Sequence, residues 1–576
     1  MIFKRTTRVR NALRVVAVGA TVLALGAAYT PAAQARDFDR PYSGYASPNT
    51  KLRTATPAQM GLDPAPIEAA RAKIRAYQSA APKPLYPGAV GVMGHDGAIV
   101  ATEASGYARL YADATTKLPE NERVPMRQDT IFDLASVSKL FTSLVVVQLI
   151  EEGTVELDAP VARYLPEFGG QGKDTLTVRN LLTHTSALPA WLPLWSAYPD
   201  KESRIAAVMN ATPTNPPDTV YRYSDLNLIA LGVMVERLTG QGLDTAVAER
   251  ITRPLGMTDT GYNPTDKRRT AATEYQTAPP RGMVWGEVHD ENAWSLGGVA
   301  GHAGVFSTAG DLAILSQTLL NGGSYNKNRI LKPESVDLLT RNFNSKFPGN
   351  DHGLGFELNQ RWYAEGLSAP KEAGHTGYTG TSIVIDFASR SFAVLLTNRV
   401  HPSRDWGSVN PARRDWAQGL ALSMPVRPDK GPDAWFTGVT NKTTATLDLP
   451  LQVGGSGASV RFDAMVDVEE TDPLVLERST DGGATWTKVP FTVQLSDGES
   501  LATDGSWATS GVRRWVRIDA SLPAGAQTLR WRHTTDAIYL GRGVYVDDIQ
   551  VRGGVKVDGE KEPGRFIASN WTRTNR

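Results

Sequence analysis

"HTGYTGTSIVIDFASRSFAVLLTN", residues His375 to Asn398, carries two β-rich apolar runs around Ala388-Ser389-Arg390. Such a pattern predicts the two strands of a hairpin. A matching signal stands far upstream. "GAVGVMGHDGAIVATEASG" (Gly88 to Gly106) has two apolar runs around Asp96-Gly97, a residue pair suited to a tight hairpin turn. The text between the hairpins is helical. In "YRYSDLNLIALGVMVERLTG" (Tyr221 to Gly240), Leu228, Leu231, Val235 and Leu238 recur at helical spacing, and Gly240 marks the stop. "FDLASVSKLFTSLVVVQLIEEG" (Phe132 to Gly153) reads as one amphipathic helix, with Leu140, Leu144, Val147 and Ile150 inward and Gly153 at its end. Two hairpins flanking helices predict an α+β fold, an antiparallel sheet flanked by helices.

Further along, the composition changes. "ATLDLPLQV", "SVRFDAMVDV", "PLVLERS", "RRWVRIDASL", "QTLRWRH" and "GVYVDDIQV" are short alternating segments separated by turn residues, which predict an all-β sandwich. "RPDKGPD" (Arg427 to Asp433) reads as the linker before it, so the two parts are expected to fold separately. The expected layout is a helical and sheet domain at 58–430, a sandwich at 431–553, and a poorly ordered tail at 554–576.

The start of the chain is expected to be removed. Lys4, Arg5, Arg8, Arg10 and Arg14 precede the apolar run Val15 to Ala28 and the small-residue site Ala33-Gln34-Ala35. That order is a signal peptide at 1–35, followed by an extended lead-in at 36–57, and it implies secretion to the extracellular side. No later run is long enough for a membrane span. A formal net charge of +1 gives no field for collecting nucleic acid. The absence of cysteine excludes thiol nucleophiles, disulfides and thiolate metal sites.

Ser136 and Lys139 lie three residues apart, so one helix face can bring hydroxyl and amine together. The lysine can take or relay the hydroxyl proton if burial and neighbours lower its pKa. A lone S-x-x-K more often means a capping serine and a solvated lysine. Two further stretches change that reading: Tyr223-Ser224-Asp225, and His375-Thr376-Gly377 at the head of the late hairpin. Serine S-x-x-K, a Tyr-Ser-Asn-like triplet and a Lys/His-Thr-Gly strand, in that order, form a known motif set. The chain here resembles the serine β-lactamase and penicillin-binding protein family, in particular the branch of class C β-lactamases, D-alanyl-D-alanine carboxypeptidases and esterases. "LLTHTSALP", "GGVAGHAGVFSTAGDLA" and "GHTGYTGTSIVIDF" resemble that family too, and the likeness runs from about Gly61 to Met424.

The resemblance implies a β-lactamase/transpeptidase-like fold and, residue by residue, a mechanism. Ser136 would be the acylated nucleophile, Lys139 its proton partner, and Tyr223 the phenol that carries the proton to the leaving group. The backbone N–H groups of Ser136 and Tyr378 would form the oxyanion hole. Asp225, His375, Thr376 and Gly377 would border the substrate, with Gly377 small so that substrate can lie against the strand.

Two positions depart from the pattern. Asp225 replaces the usual Asn, turning a donor amide into an acceptor-only carboxylate. Asn227 could supply an amide, at a different place on the helix. His375 stands where lactamases carry Lys, and an unperturbed imidazole loses its charge near neutral pH.

The implied function is a secreted serine hydrolase acting through an acyl-enzyme on amide or ester bonds, a D-amino-acid peptidase/carboxypeptidase or an esterase. The alternatives are a β-lactamase and a non-catalytic penicillin-binding homologue. Its partner is a small-molecule or peptide substrate. The strings "STDGGATWTKV" and "GRGVYVDDIQV" resemble jelly-roll modules of secreted bacterial enzymes, so cell-wall glycan binding through the sandwich rests on fold analogy alone. No cofactor and no metal are called for. His289, Asp290 and His302 match no short zinc spacing, and Asp547 with Asp548 reads as surface acids before it reads as a calcium site. His184 is expected to bond a neighbouring loop. No G-x-S-x-G string occurs.

Overall fold

The computed structural model describes residues 44–495 and 498–576. The expected signal peptide and the first part of the lead-in lie outside the described residues. Eight strands form the central sheet, seven of them along one path: β1 (Arg53–Thr54), β2 (Gly88–His95), β3 (Ala98–Arg109), β4 (Glu357–Leu358), β5 (Glu372–Thr376), β6 (Thr381–Asp386) and β7 (Ser391–Thr397); the eighth, Val124–Pro125, pairs with β3 off that path. Their order across the sheet is β1-β3-β2-β7-β6-β5-β4. The two hairpins lie side by side, because β2 pairs antiparallel with β7 from His95 opposite Ser391 to Ala89 opposite Thr397. Asp96 and Gly97 both take positive φ, 43° and 80°. That is the turn whose twist matches the flanking strands. The lead-in strand β1 pairs parallel with β3, so the sheet is mixed at this edge.

Strand residues alternate between two cores. Val90, Val92, Ile383, Ile385, Phe392, Val394 and Leu396 face one cluster, with α2 (Ser138–Glu151), α3 (Asp225–Thr239) and α4 (Ala309–Leu320). Ala89, Met93, Val384, Ala393 and Leu395 face the other, beneath α1 (Pro64–Ala76) and α5 (Asn410–Ser423). A sheet covered on both faces needs apolar side chains on both, which explains its nearly continuous hydrophobic strands.

The stretch read as one amphipathic helix from Phe132 is corrected in two ways. Phe132–Asp133 is a short strand paired with Val305–Ser307, and the helix proper begins only at Ser138. Nor does α2 have a single inward stripe: every residue from Ser138 to Leu149 is buried, while Ile150 is half-exposed. A helix packed between other helices and the sheet is apolar all round.

Beyond residue 430, two antiparallel sheets stack. One is built around β9 (Ala458–Asp467), β11 (Val516–Leu522) and β13 (Gly543–Gly553). The other is built around β8 (Thr444–Val453), β10 (Leu474–Ser479) and β12 (Gly525–Thr534). Their inner faces bring Leu447, Leu449, Val460, Phe462, Ile518, Leu529, Trp531 and Val546 into one core. The expected loose tail is instead part of the sheets. Ile567–Ser569 pairs with β8, and Thr572–Thr574 with Ala434–Phe436.

The two parts are not independent, as the linker had suggested. Met465 and Tyr545 of the sandwich belong to the same hydrophobic cluster as Leu367, Leu420 and Met424. Arg513 reaches across to the buried Asp386 carboxylate and to the carbonyls of Gly366, Leu367 and Ser368. Arg542 donates to the carbonyls of Ala421 and Met424. No helix among the described residues is long and apolar enough to cross a membrane.

Candidate active site

Ser136 occupies a single turn, Ala135–Val137, between the strand Phe132–Asp133 and α2. Ala135 takes a φ of 47°, which non-glycine residues rarely adopt. The buried Asp133 carboxylate holds that conformation, accepting the Ala135 N–H at 2.8 Å and the His289 N–H at 2.6 Å. Lys139 follows one turn along α2, its side chain only 1% exposed. Its ammonium donates to Ser136 Oγ at 2.9 Å and to the His302 carbonyl at 3.1 Å, and lies 2.8 Å from Asp225 Oδ1. The Tyr223 ring, brought in just before α3, has its centroid 4.9 Å from Lys139 Nζ, and its hydroxyl is close enough to Ser136 and Lys139 for both to favour the phenolate. The three candidate catalytic residues meet at one point.

The electrostatics differ from expectation. Burial would lower the Lys139 pKa, but Asp225 and Tyr223 outweigh it and hold the group above the ordinary lysine value. Burial pushes the Tyr223 phenol up, and Lys139 pulls it back only in part. The resting site is therefore an ammonium beside a neutral phenol. Asp225, expected to border substrate, is instead the counter-ion of Lys139. Because its negative charge raises both Lys139 and Tyr223, Asp225→Asn should move the controlling limb of the kcat/KM–pH profile to lower pH. Rates on a neutral ester, measured across the neutral and alkaline range, check this; a limb that stays in place would leave Asp225 with packing alone.

His184 and Asn227 lie behind the tyrosine. The His184 ring packs on Tyr223 with centroids 4.5 Å apart. Its Nδ1 accepts the Ser224 N–H at 3.1 Å and meets Asn227 Nδ2 at 3.2 Å, so it fixes the segment that carries the phenol. Asn227 is fully buried and also bonds Ser186, so its amide does not reach the cleft.

Strand β5 and the turn after it form the opposite wall. A Cβ on Gly377 would fall 2.2 Å from the Leu134 carbonyl and 2.1 Å from Thr381 Oγ1. Glycine is required there because the Leu134 carbonyl, just before the Ser136 turn, crosses that point, and Gly377 also lines the cleft. Thr379 and Thr381 tie the same wall to the Asp133 and Leu134 carbonyls at 2.7 and 2.9 Å. Tyr378 is 49% exposed and stacks on His289 at 5.9 Å. Thr376 lines the cleft and its carbonyl accepts from His375 Nδ1 at 2.8 Å. That bond leaves His375 Nε2 as a buried acceptor, with the ring 6.1 Å from Tyr223. Burial, reinforced by Lys139, pushes the imidazole down to about 3, so it does not titrate near neutrality as an unperturbed ring would.

The other singled-out groups have partners. His289 pairs with Glu274 and His302 with Asp290, each at 2.9 Å. Asp225, Asp290 and His302 bring one donor atom each within 4.8 Å of one another; Asp225 pairs with the Lys139 ammonium, and His302 with Asp290. Asp547 accepts the N–H groups of Lys430 and Asp548, and Asp548 bonds Gln550.

Sequence reasoning missed Arg413 and Glu357. Arg413 of α5 donates to the Gly377 and Thr381 carbonyls at 2.7 and 2.9 Å, closing the turn from behind. Only an unusual basic residue on an otherwise buried helix face could have signalled it. Ser136, Tyr223, Glu357, His375 and Tyr378 all line one cleft of about 700 Å³.

A model of the Beta-lactamase family matches residues 74–418, which span every residue of this cleft. The chain belongs to the beta-lactamase family. Relatives of this beta-lactamase-family chain include a protein of Escherichia coli (strain K12), provisionally named D-alanyl-D-alanine carboxypeptidase. It is 34% identical over 349 residues, 55% of this chain and 79% of the relative. One of the same provisional name from Salmonella schwarzengrund (strain CVM19633) is 33% identical over 407 residues, 64% of this chain and 91% of the relative. Among solved structures, a penicillin-binding protein homologue from Caulobacter crescentus shares the fold. Its TM-score is 0.50 at 22% identity, over 62% of this chain and 97% of that one.

Proposed function

We propose that this chain is an exported serine hydrolase that forms an acyl-enzyme on Ser136 and cleaves amide or ester bonds, with D-amino-acid peptides and small esters as its substrate range. One observation carries the reading: Lys139 Nζ donates to Ser136 Oγ at 2.9 Å, and the Tyr223 phenol, which lines the same open cleft as Ser136, stands beside both. Export rests on the basic and apolar order of residues 1–35. The reactive form is the one in which Tyr223 has shed its proton, held as phenolate by the adjacent ammonium. The phenolate takes the Ser136 proton as the hydroxyl attacks the carbonyl, and then returns it to the leaving group. The N–H groups of Ser136 and Tyr378 receive the developing oxyanion. Water repeats the sequence to release the acid. A neutral His375 offers no charge to a penicillin carboxylate, which favours this reading over a dedicated β-lactamase.

Incubation with a fluorophosphonate and with benzylpenicillin, followed by digestion and mass spectrometry, tests it. A covalent adduct is expected on the peptide that contains Ser136. An adduct on another residue, or none with either reagent, overturns the assignment. Turnover of a simple ester separates the enzyme from a binding-only homologue.

A further inference from the structure

The charges lining the cleft are unequally occupied. Its three arginines are bonded to the protein. Arg413 holds the Gly377 and Thr381 carbonyls and Asn410. Arg399 donates to the carbonyls of Tyr378 and Arg404, and Arg404 pairs with Glu274 and Glu291. Glu357 is different. It stands on β4 opposite Gly374, one residue before His375, in the wall that Ser136 also lines. Its Oε2 is buried with the neutral Tyr363 hydroxyl as its neighbour, and among the described residues no ion pair to a cation within 4 Å is formed there. Tyr221 and Trp362 line the cleft with it, so aromatic surface accompanies the carboxylate. Burial raises the Glu357 carboxyl to about 7, against the pull of Tyr363, Arg413 and Lys139. A carboxyl so placed is stabilised as the anion when a cation arrives beside it. Carboxylate and aromatic faces together are what an ammonium group needs.

We propose that Glu357, Tyr221 and Trp362 form a cation subsite of this cleft, and that the chain's substrates carry a positively charged ammonium group near the scissile bond. The proposal rests on the reading of Ser136 as nucleophile and narrows its substrate class, whereas the arginine-rich rim alone would suggest anionic substrates.

Two isosteric pairs of esters test it, with the charge on either side of the bond. One pair is the β-alanyl and butanoyl p-nitrophenyl esters. The other is the butanoate esters of choline and of 3,3-dimethylbutanol. The wild type should prefer the charged member of at least one pair by about tenfold in kcat/KM, the scale of one charge contact in a partly wet cleft. Glu357→Gln, which keeps the shape, should collapse that ratio towards one. Preference for the neutral member in both pairs would overturn the subsite. So would a Glu357→Gln enzyme that slows both members equally, since that is the mark of a structural role. Failure of the underlying reading shows elsewhere: hydrolysis of the butanoyl ester would then survive Ser136→Ala.

Discussion

Ser136→Ala should bring ester turnover to background, while Lys139→Ala and Tyr223→Phe should each lower kcat/KM by at least ~10²-fold, the usual scale for a positioned proton-transfer group. The double mutant should be little worse than either single. Lys139 Nζ lies 2.9 Å from Ser136 Oγ and 4.9 Å from the Tyr223 ring centroid, and both groups favour the ionised phenol. Without the ammonium nothing holds the phenolate, and without the phenol the ammonium has no base to stabilise. Residues that act as a unit lose their joint effect at the first substitution. Strictly multiplicative losses would mean separate roles and would break the proposed proton path. Near-native unfolding transitions for all variants would show that the losses are chemical.

The second large effect is on stability. Arg513→Ala should lower the unfolding free energy by about 3–5 kcal/mol, because it leaves a buried carboxylate without its partner. Asp386 is fully buried at the end of β6, where the turn to β7 begins, and Arg513 is its ion-pair partner. The remaining bonds to Asp386 come from the Ala388 and Ser389 N–H groups and the Ser389 hydroxyl, which cannot neutralise it. Three backbone carbonyls at Gly366, Leu367 and Ser368 lose a donor in the same substitution. Urea midpoints for wild type and variant measure the loss. A change below about 1 kcal/mol would assign the pair to the range of surface ion pairs and show that the two parts do not depend on it.

Local chemistry explains which features could be read ahead. The Asp96-Gly97 turn, the Ser136–Lys139 spacing and the strand alternation through Val394 depend on near neighbours, and each is visible in the text of the chain. The start of α2 is not legible locally, because Phe132–Asp133 is extended through its pairing with Val305–Ser307, a contact across more than a hundred residues. The charge state of Lys139 depends on Asp225 at 2.8 Å, and no periodicity links the two. Gly377 is visible in the text of the chain, but the Leu134 carbonyl that crosses it comes from another element. Glu357 had no motif around it. Its meaning comes from a two-residue strand docked beside β5, and from the aromatic rings that face the same cleft.

Helix α5 links two places that share no residue. Near its N-terminal end Arg413 grips the carbonyls of Gly377 and Thr381, beside the cleft; at the other end the Ala421 and Met424 carbonyls are gripped by Arg542 of the sandwich. Fourteen helical residues form a strut about 21 Å long, rigid on that scale. The sandwich contributes no side chain to the cleft lining, yet it clamps the far end of the element that braces the substrate wall. Stiffness at the active site is thus partly borrowed, and the appended module works as an abutment for a wall it never touches.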